Sequence, residues 1–107
     1  MSVDEFRPIY ERHISFVAAG DIKAILADMV QENVPAVFDG VDTPRGVVRA
    51  HTIRDVRAEG DLMIGETVYD VGDRLIGLRS IWANHDGRWL AAGLENFPVE
   101  QPVERGV

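Results

Sequence analysis

The spacing of apolar and polar positions divides the chain into a helical half and a β half. Phe6, Ile9, Tyr10, His13, Phe16 and Val17 recur every three or four residues and form one stripe of an amphipathic helix. Ser2 followed by Glu5 has the form of a capping box, and Asp4 and Glu5 suit a helix N-terminus. Pro8 removes a hydrogen bond inside such a helix, so it starts either at Ser2 or nearer Arg7. Gly20 ends it. Asp21 is then a natural N-cap for a second helix, with Ile22, Ile25, Leu26, Met29 and Val30 as its stripe.

After Asn33 the period changes. Val34 to Phe38 is a short apolar run whose Pro35 places it at a sheet edge or a strand start. Residues 39–46, DGVDTPRG, are dense in turn formers. A strand is expected from Val47 to Ala58 and another from Leu62 to Val71, with Glu59-Gly60-Asp61 turning between them. In the second, Leu62, Ile64, Glu66 and Val68 alternate with Met63, Gly65, Thr67 and Tyr69. Arg74 to Phe97 then supplies two apolar runs around Asn84-His85-Asp86-Gly87, the pattern of a hairpin. Two helices followed by a meander predict an α+β fold, with the helices on one face of a curved, mainly antiparallel sheet of about five strands. The cleft between such layers is where small-molecule pockets form.

Composition narrows the function classes. At 107 residues the chain is one domain, expected over 1–98, with 99–107 as a flexible tail. The net charge of −7 and the scatter of the eleven Lys and Arg residues argue against nucleic acid and against an anionic membrane. No cysteine is present, which excludes disulfides, thiolate metal sites and a Cys nucleophile. The three histidines show neither HxH nor HExxH spacing, so neither a metal nor another cofactor is expected. The acidic N-terminus lacks the layout of a signal peptide, and no apolar run approaches bilayer length, so a cytoplasmic protein is expected.

The Ala18-Ala19-Gly20-Asp21 turn, the Asp86-Gly87-Arg88-Trp89 hairpin and the Leu94-Glu95-Asn96-Phe97 ending resemble the nuclear transport factor 2-like, or SnoaL-like, superfamily. The resemblance covers about residues 5–98 and implies a cystatin-like α+β roll. It leaves the activity open, because the superfamily contains isomerases, cyclases, epoxide hydrolases, dehydratases and non-catalytic modules. Its usual third helix has only Val41 to Ala50 available here, and Pro44 and Gly46 disfavour it. The chain therefore resembles a short bacterial-type member with a more open pocket.

By that resemblance, His13 falls at the position of the isomerases' oxyanion-hole Tyr and Arg79 at that of their neutral acid. The base position falls near Val37, with Asp39 two residues on. None matches in type, so His13, Asp39 and Arg79 stand as candidates for a different acid/base set. The alternative for His13 is a group that only lines the helix–sheet interface. Thr67, Tyr69 and Pro98 occupy the epoxide-hydrolase Asp-Arg-Asp positions, which removes that mechanism. Cyclase-type chemistry leaves Asp39, His51, Glu66, Asp70 and Glu95 as acids or bases, with Glu66 either a half-buried carboxyl or a cross-strand partner for an Arg. Tyr10, Phe16, Phe38, Met63, Thr67, Tyr69, Ile81, Leu94 and Asn96 are the expected ligand-binding residues.

Arg79 depends on the hairpin register. With a four-residue loop it lies opposite Ala92, shares the pocket face with Ile81, Leu94 and Asn96, and clamps a carboxylate or enolate. With a three-residue turn and a Gly87 bulge it faces Gly93 beside Glu95, as half of an ion pair. The resemblance favours the first. That register leaves Ile76, Leu78, Trp82, Trp89 and Phe97 on an uncovered face, which predicts a homodimer through the sheet. Two functions are compatible with these residues. One is binding of a small apolar or carbonyl-bearing metabolite, with isomerase- or cyclase-like acid/base chemistry. The other is a non-catalytic dimerisation or ligand-sensing module.

Overall fold

The computed structural model describes residues 2–45 and 47–101. Helix α1 runs from Val3 to Ala19, so the capping reading at Ser2 holds: its hydroxyl accepts the Glu5 N–H at 3.3 Å. Pro8 lies inside this helix, near enough to its start that the lost hydrogen bond is local. Gly20 takes φ 70°, and the N–H groups of Gly20 and Asp21 bond back to the Val17 and Phe16 carbonyls, closing the C-terminus. Asp21 caps α2, Ile22–Ala27, through the Ala24 N–H.

The expected strand at Val34–Phe38 is not formed. Gln31–Asn33 and Ala36–Phe38 are single 3-10 turns on either side of Pro35, which has no N–H to give to a ladder. The sheet accordingly has four strands rather than about five: β1 (Ala50–Glu59), β2 (Leu62–Asp70), β3 (Leu75–His85) and β4 (Arg88–Asn96). They form an antiparallel meander in chain order. The place of a fifth strand is taken by a single parallel bridge from Met29 to Ala91. No helix forms among the described residues between Val41 and Arg49, and β1 begins three residues later than the pattern suggests.

Neither expected hairpin register is adopted. The β3–β4 turn has two residues, Asp86 and Gly87, at φ 54° and 87°, and Asn84 accepts the Gly87 N–H at 2.8 Å. Asn84 pairs with Trp89, and the register shifts between Ile81 and Trp82, so that Ala92 is an extra residue on β4. Such a bulge exchanges the faces of all residues beyond it. Trp89 and Ala91 face the helices before the bulge, Leu94 and Asn96 after it. Asn33 donates to the bulged Ala92 carbonyl at 2.8 Å.

The core lies between α1 and the inner sheet face, where Phe6, Tyr10, Met63, Tyr69, Trp82 and Trp89 form one cluster. Trp82, fully buried, meets Phe6, Tyr10 and His13 edge-on. Gly65 permits this close approach, because a Cβ there would collide with the Tyr10 ring. Ile76, Leu78, Trp82 and Trp89, expected at a dimer interface, are thus core residues of the inner face. The expectation failed because alternation along β3 leaves open which of its faces meets the helices, and the bulge and short turn that set the faces of β4 were not visible in the apolar pattern.

The last described residues are not a loose end. Leu75 exchanges two hydrogen bonds of 2.9 Å with the Gln101 side chain, and Val99 crosses Gly77, where a Cβ would strike it. The rest of the expected tail, 102–107, lies outside the described residues. No helix among the described residues is long and apolar enough to cross a membrane.

Candidate functional site

Beneath α1 and α2 the inner sheet face leaves a cavity of about 120 Å³. Its walls are chiefly apolar: Ile14 and Val17 from α1, Ile22, Ile25 and Leu26 from α2, Leu78, Ala91 and Leu94 from the sheet. Phe38, Thr43 and Pro44 close one side. The strap that carries Thr43 and Pro44 is held by Asp42. Its N–H and carbonyl each bond the Asn96 side chain at 2.8 Å, and its carboxylate takes a two-point contact from Arg74. The Arg74 hydrogen bond holds the Asp42 carboxyl below its usual range.

Polar groups enter this cavity at two places. Tyr10, Tyr69 and Ser80 line its floor, and the Tyr10 and Thr67 hydroxyls bond each other. The Trp82 indole N–H donates to Ser80 at 2.8 Å. Burial pushes the Tyr10 phenol up to about 12, against the Thr67 and Ser80 hydroxyls, which act in the opposite sense. Burial and the neighbouring Tyr10 push Tyr69 higher still. Both phenols are therefore hydrogen-bond donors at neutral pH.

The second place is His13, whose Nδ1 lies 3.0 Å from Asp28 Oδ2, both side chains being buried. Chain geometry makes this pair. Asp28 ends α2, its carbonyl accepts the Ala91 N–H at 2.8 Å, and Val30 N–H returns to the Ala91 carbonyl at 2.9 Å. These two bonds tie residues 28–30 to β4 and bring the carboxylate under the third turn of α1. Arg88 and Arg12, at 3.7 and 3.9 Å from Asp28 Oδ1, stand on its solvent side.

A carboxylate only accepts, so Nδ1 carries the hydrogen and neutral His13 presents a lone pair at Nε2. No other hydrogen bond to His13 occurs among the described residues, and no buried polar side-chain atom there is left sealed without a partner. Nε2 thus keeps its lone pair on a ring that lines the cavity.

Of the expected catalytic residues, only His13 is at the cavity. Asp39 is exposed on a separate open groove with Glu32 and Gly93. Arg79 is on the outer sheet face, because the observed register sets it opposite Glu66 on β2 and Glu95 on β4. It donates to them at 2.6 and 3.0 Å and stacks on Phe97, with 5.5 Å from guanidinium carbon to ring centre. Glu66 also meets Arg57 at 3.2 Å, which settles its two readings in favour of the ion pair. Burial pulls the Glu66 carboxyl upward, but the hydrogen bonds from Arg79 and Arg57 together hold it below the usual range.

Among the expected ligand-binding residues, Tyr10, Phe38, Tyr69 and Leu94 line the cavity, and Thr67 supports Tyr10 from behind. Met63 lies in the core cluster and Phe16 is half-buried, both off the cavity wall. Ile81, opposite Ile64 and Gly93, is on the outer face, and Asn96 is the clasp of the Asp42 strap. Phe97, expected at the interface, is buried under Arg79 on the outer face. His51 is exposed, and Asp70 accepts the Gly72 N–H in a turn. Asp28 was missed. Its one signal is a charge three residues after Ile25, on the apolar stripe of α2, where a carboxylate needs a buried partner.

This arrangement, two helices closing a cavity against a curved antiparallel sheet, is the nuclear transport factor 2-like fold. A solved structure of an NTF-2 like protein of unknown function from Burkholderia xenovorans LB400 superimposes with a TM-score of 0.60. It is 19% identical, and the match covers 92% of this chain and 88% of that one. No family model and no curated protein matches the sequence.

Proposed function

We propose that the chain binds a small apolar or carbonyl-bearing metabolite in the cavity and moves a proton on it, in the manner of an isomerase or cyclase. The observation that carries this reading is the buried Asp28–His13 pair at 3.0 Å on the wall of a largely apolar cavity, with Nε2 left without a hydrogen bond among the described residues. Nε2 takes a proton from the carbon next to a carbonyl, and Asp28 stabilises the imidazolium that forms. Tyr10 or Tyr69, kept protonated by burial, donates to the carbonyl oxygen as it gains negative charge. Where the ligand is a β,γ-unsaturated carbonyl compound, the enolate is a conjugated dienolate, and return of the proton from Nε2 to its γ carbon completes an isomerisation. The non-catalytic alternative has less support, because Phe38 and Tyr69 wall the cavity without filling it.

The test is α-hydrogen exchange in deuterated buffer, followed by NMR with cyclohexanone as probe. Wild type is expected to exchange it faster than His13→Gln by a factor of about 10² to 10⁴. Equal rates, with both proteins folded by near-ultraviolet circular dichroism, remove His13 as the base.

A further inference from the structure

The charges around the cavity restrict what can enter it. We infer that the site selects compact neutral molecules carrying a hydroxyl or an enolisable carbonyl, and rejects carboxylates of the same shape. This inference rests on the reading of the cavity as a ligand site. Size is the first constraint. A cavity of about 150 Å³ with apolar walls accepts benzene, so one of about 120 Å³ restricts the ligand to a compact molecule of about that size.

Charge is the second. No Lys or Arg is among the described residues that line the cavity. Arg57 and Arg79 are on the other face of the sheet, engaged by Asp55, Glu59, Glu66 and Glu95. Arg74 is held by Asp42 and Asp73, while Arg12 and Arg88 stand outside Asp28. A protonated His13 would have Asp28 as its nearer counter-charge, at 3.0 Å. A carboxylate would be desolvated against Ile14, Leu78 and Leu94 without a counter-charge, which is strongly unfavourable. A neutral hydroxyl or acidic C–H instead finds the Nε2 lone pair, and a carbonyl oxygen finds the phenols.

The direct test is a shape-matched pair, cyclobutyl methyl ketone and cyclobutanecarboxylate, with phenol as a third probe. Binding is measured by protein-observed NMR near neutral pH on wild type, on Leu94→Phe, which fills the cavity, and on Asp28→Asn. The expected result is that ketone and phenol bind wild type at least about tenfold more tightly than the carboxylate. All binding is lost in Leu94→Phe, and Asp28→Asn narrows the ratio by removing the negative charge behind His13. Equal binding of ketone and carboxylate, abolished by Leu94→Phe, overturns the charge selection and leaves the cavity as a ligand site. Absence of binding by all three probes, or binding indifferent to Leu94→Phe, overturns both.

Discussion

His13 and Arg79 lie on opposite sides of one sheet, and each meets a carboxylate at 3.0 Å or less. On the outer side, Arg79 and Arg57 are surrounded by four carboxylates, and Arg79 has a half-exposed ladder for its environment. Both guanidinium charges there are balanced by carboxylates. On the inner side, one carboxylate holds one nitrogen of His13 and leaves the other without a hydrogen bond on the wall of an apolar cavity. A polar side chain in a core is thus a candidate for chemistry by what it has left over, not by its type. Arg79 has the more eye-catching place in the sequence, mid-strand between Leu78 and Ile81, but its charge is already balanced by Glu66 and Glu95.

This contrast predicts unequal responses to mutation. The largest is expected at Trp82, fully buried at the centre of the inner face. Trp82→Ala should lower stability by about 3–5 kcal/mol in urea titration, by the cavity it leaves. A loss below about 1 kcal/mol would show that Trp82 is exposed or at a surface, as the alternative register has it.

Next comes Gly65→Ala. Its Cβ meets the Tyr10 ring, so either α1 lifts or the phenol turns, at about 1–3 kcal/mol. A displaced Tyr10 loses the burial that holds its phenol up to about 12, an effect larger than the opposing loss of the Thr67 bond, and should titrate nearer its ordinary 10.0 by ultraviolet absorbance. An unchanged titration would separate the glycine from the floor of the site.

The smallest effect belongs to the outer face. Arg79→Ala should cost about 1 kcal/mol or less at neutral pH, as partly exposed ion pairs do. Its signature is in acid. Glu66 has a depressed folded pKa, so its stabilisation is present above the ordinary 4.5 and is lost as pH falls through the folded value. Arg79→Ala should flatten the stability–pH curve in that range, and probe binding in the cavity should not change. Weakened binding would place Arg79 back at the site.

The elements themselves were legible. Ser2, Gly20 and Asp21 mark the helix ends because caps are local interactions between neighbours in sequence. The strands expected at 47–58 and 62–71 fall on β1 and β2 to within three residues, and Tyr10, His13, Phe38, Tyr69 and Leu94 are at the site that their stripes and the resemblance imply. Val34–Phe38 misled because a short apolar run with a proline satisfies a turn as well as an edge strand.

What the sequence determined by itself was local: two capped helices, a meander, and apolar stripes that must face one another. What only the tertiary structure decided was which polar groups meet. The extra residue at Ala92 turns Leu94 toward the cavity, and the packing of Trp82 against α1 fixes Arg79, three residues away on β3, on the opposite face. The bridge at Ala91 carries Asp28 to His13, fifteen residues apart in the chain and on different helical segments. Neither event leaves a periodic trace. A bulge changes register without changing the composition of a strand, and a buried hydrogen-bonded pair depends on the distance between elements, which no spacing within either element specifies.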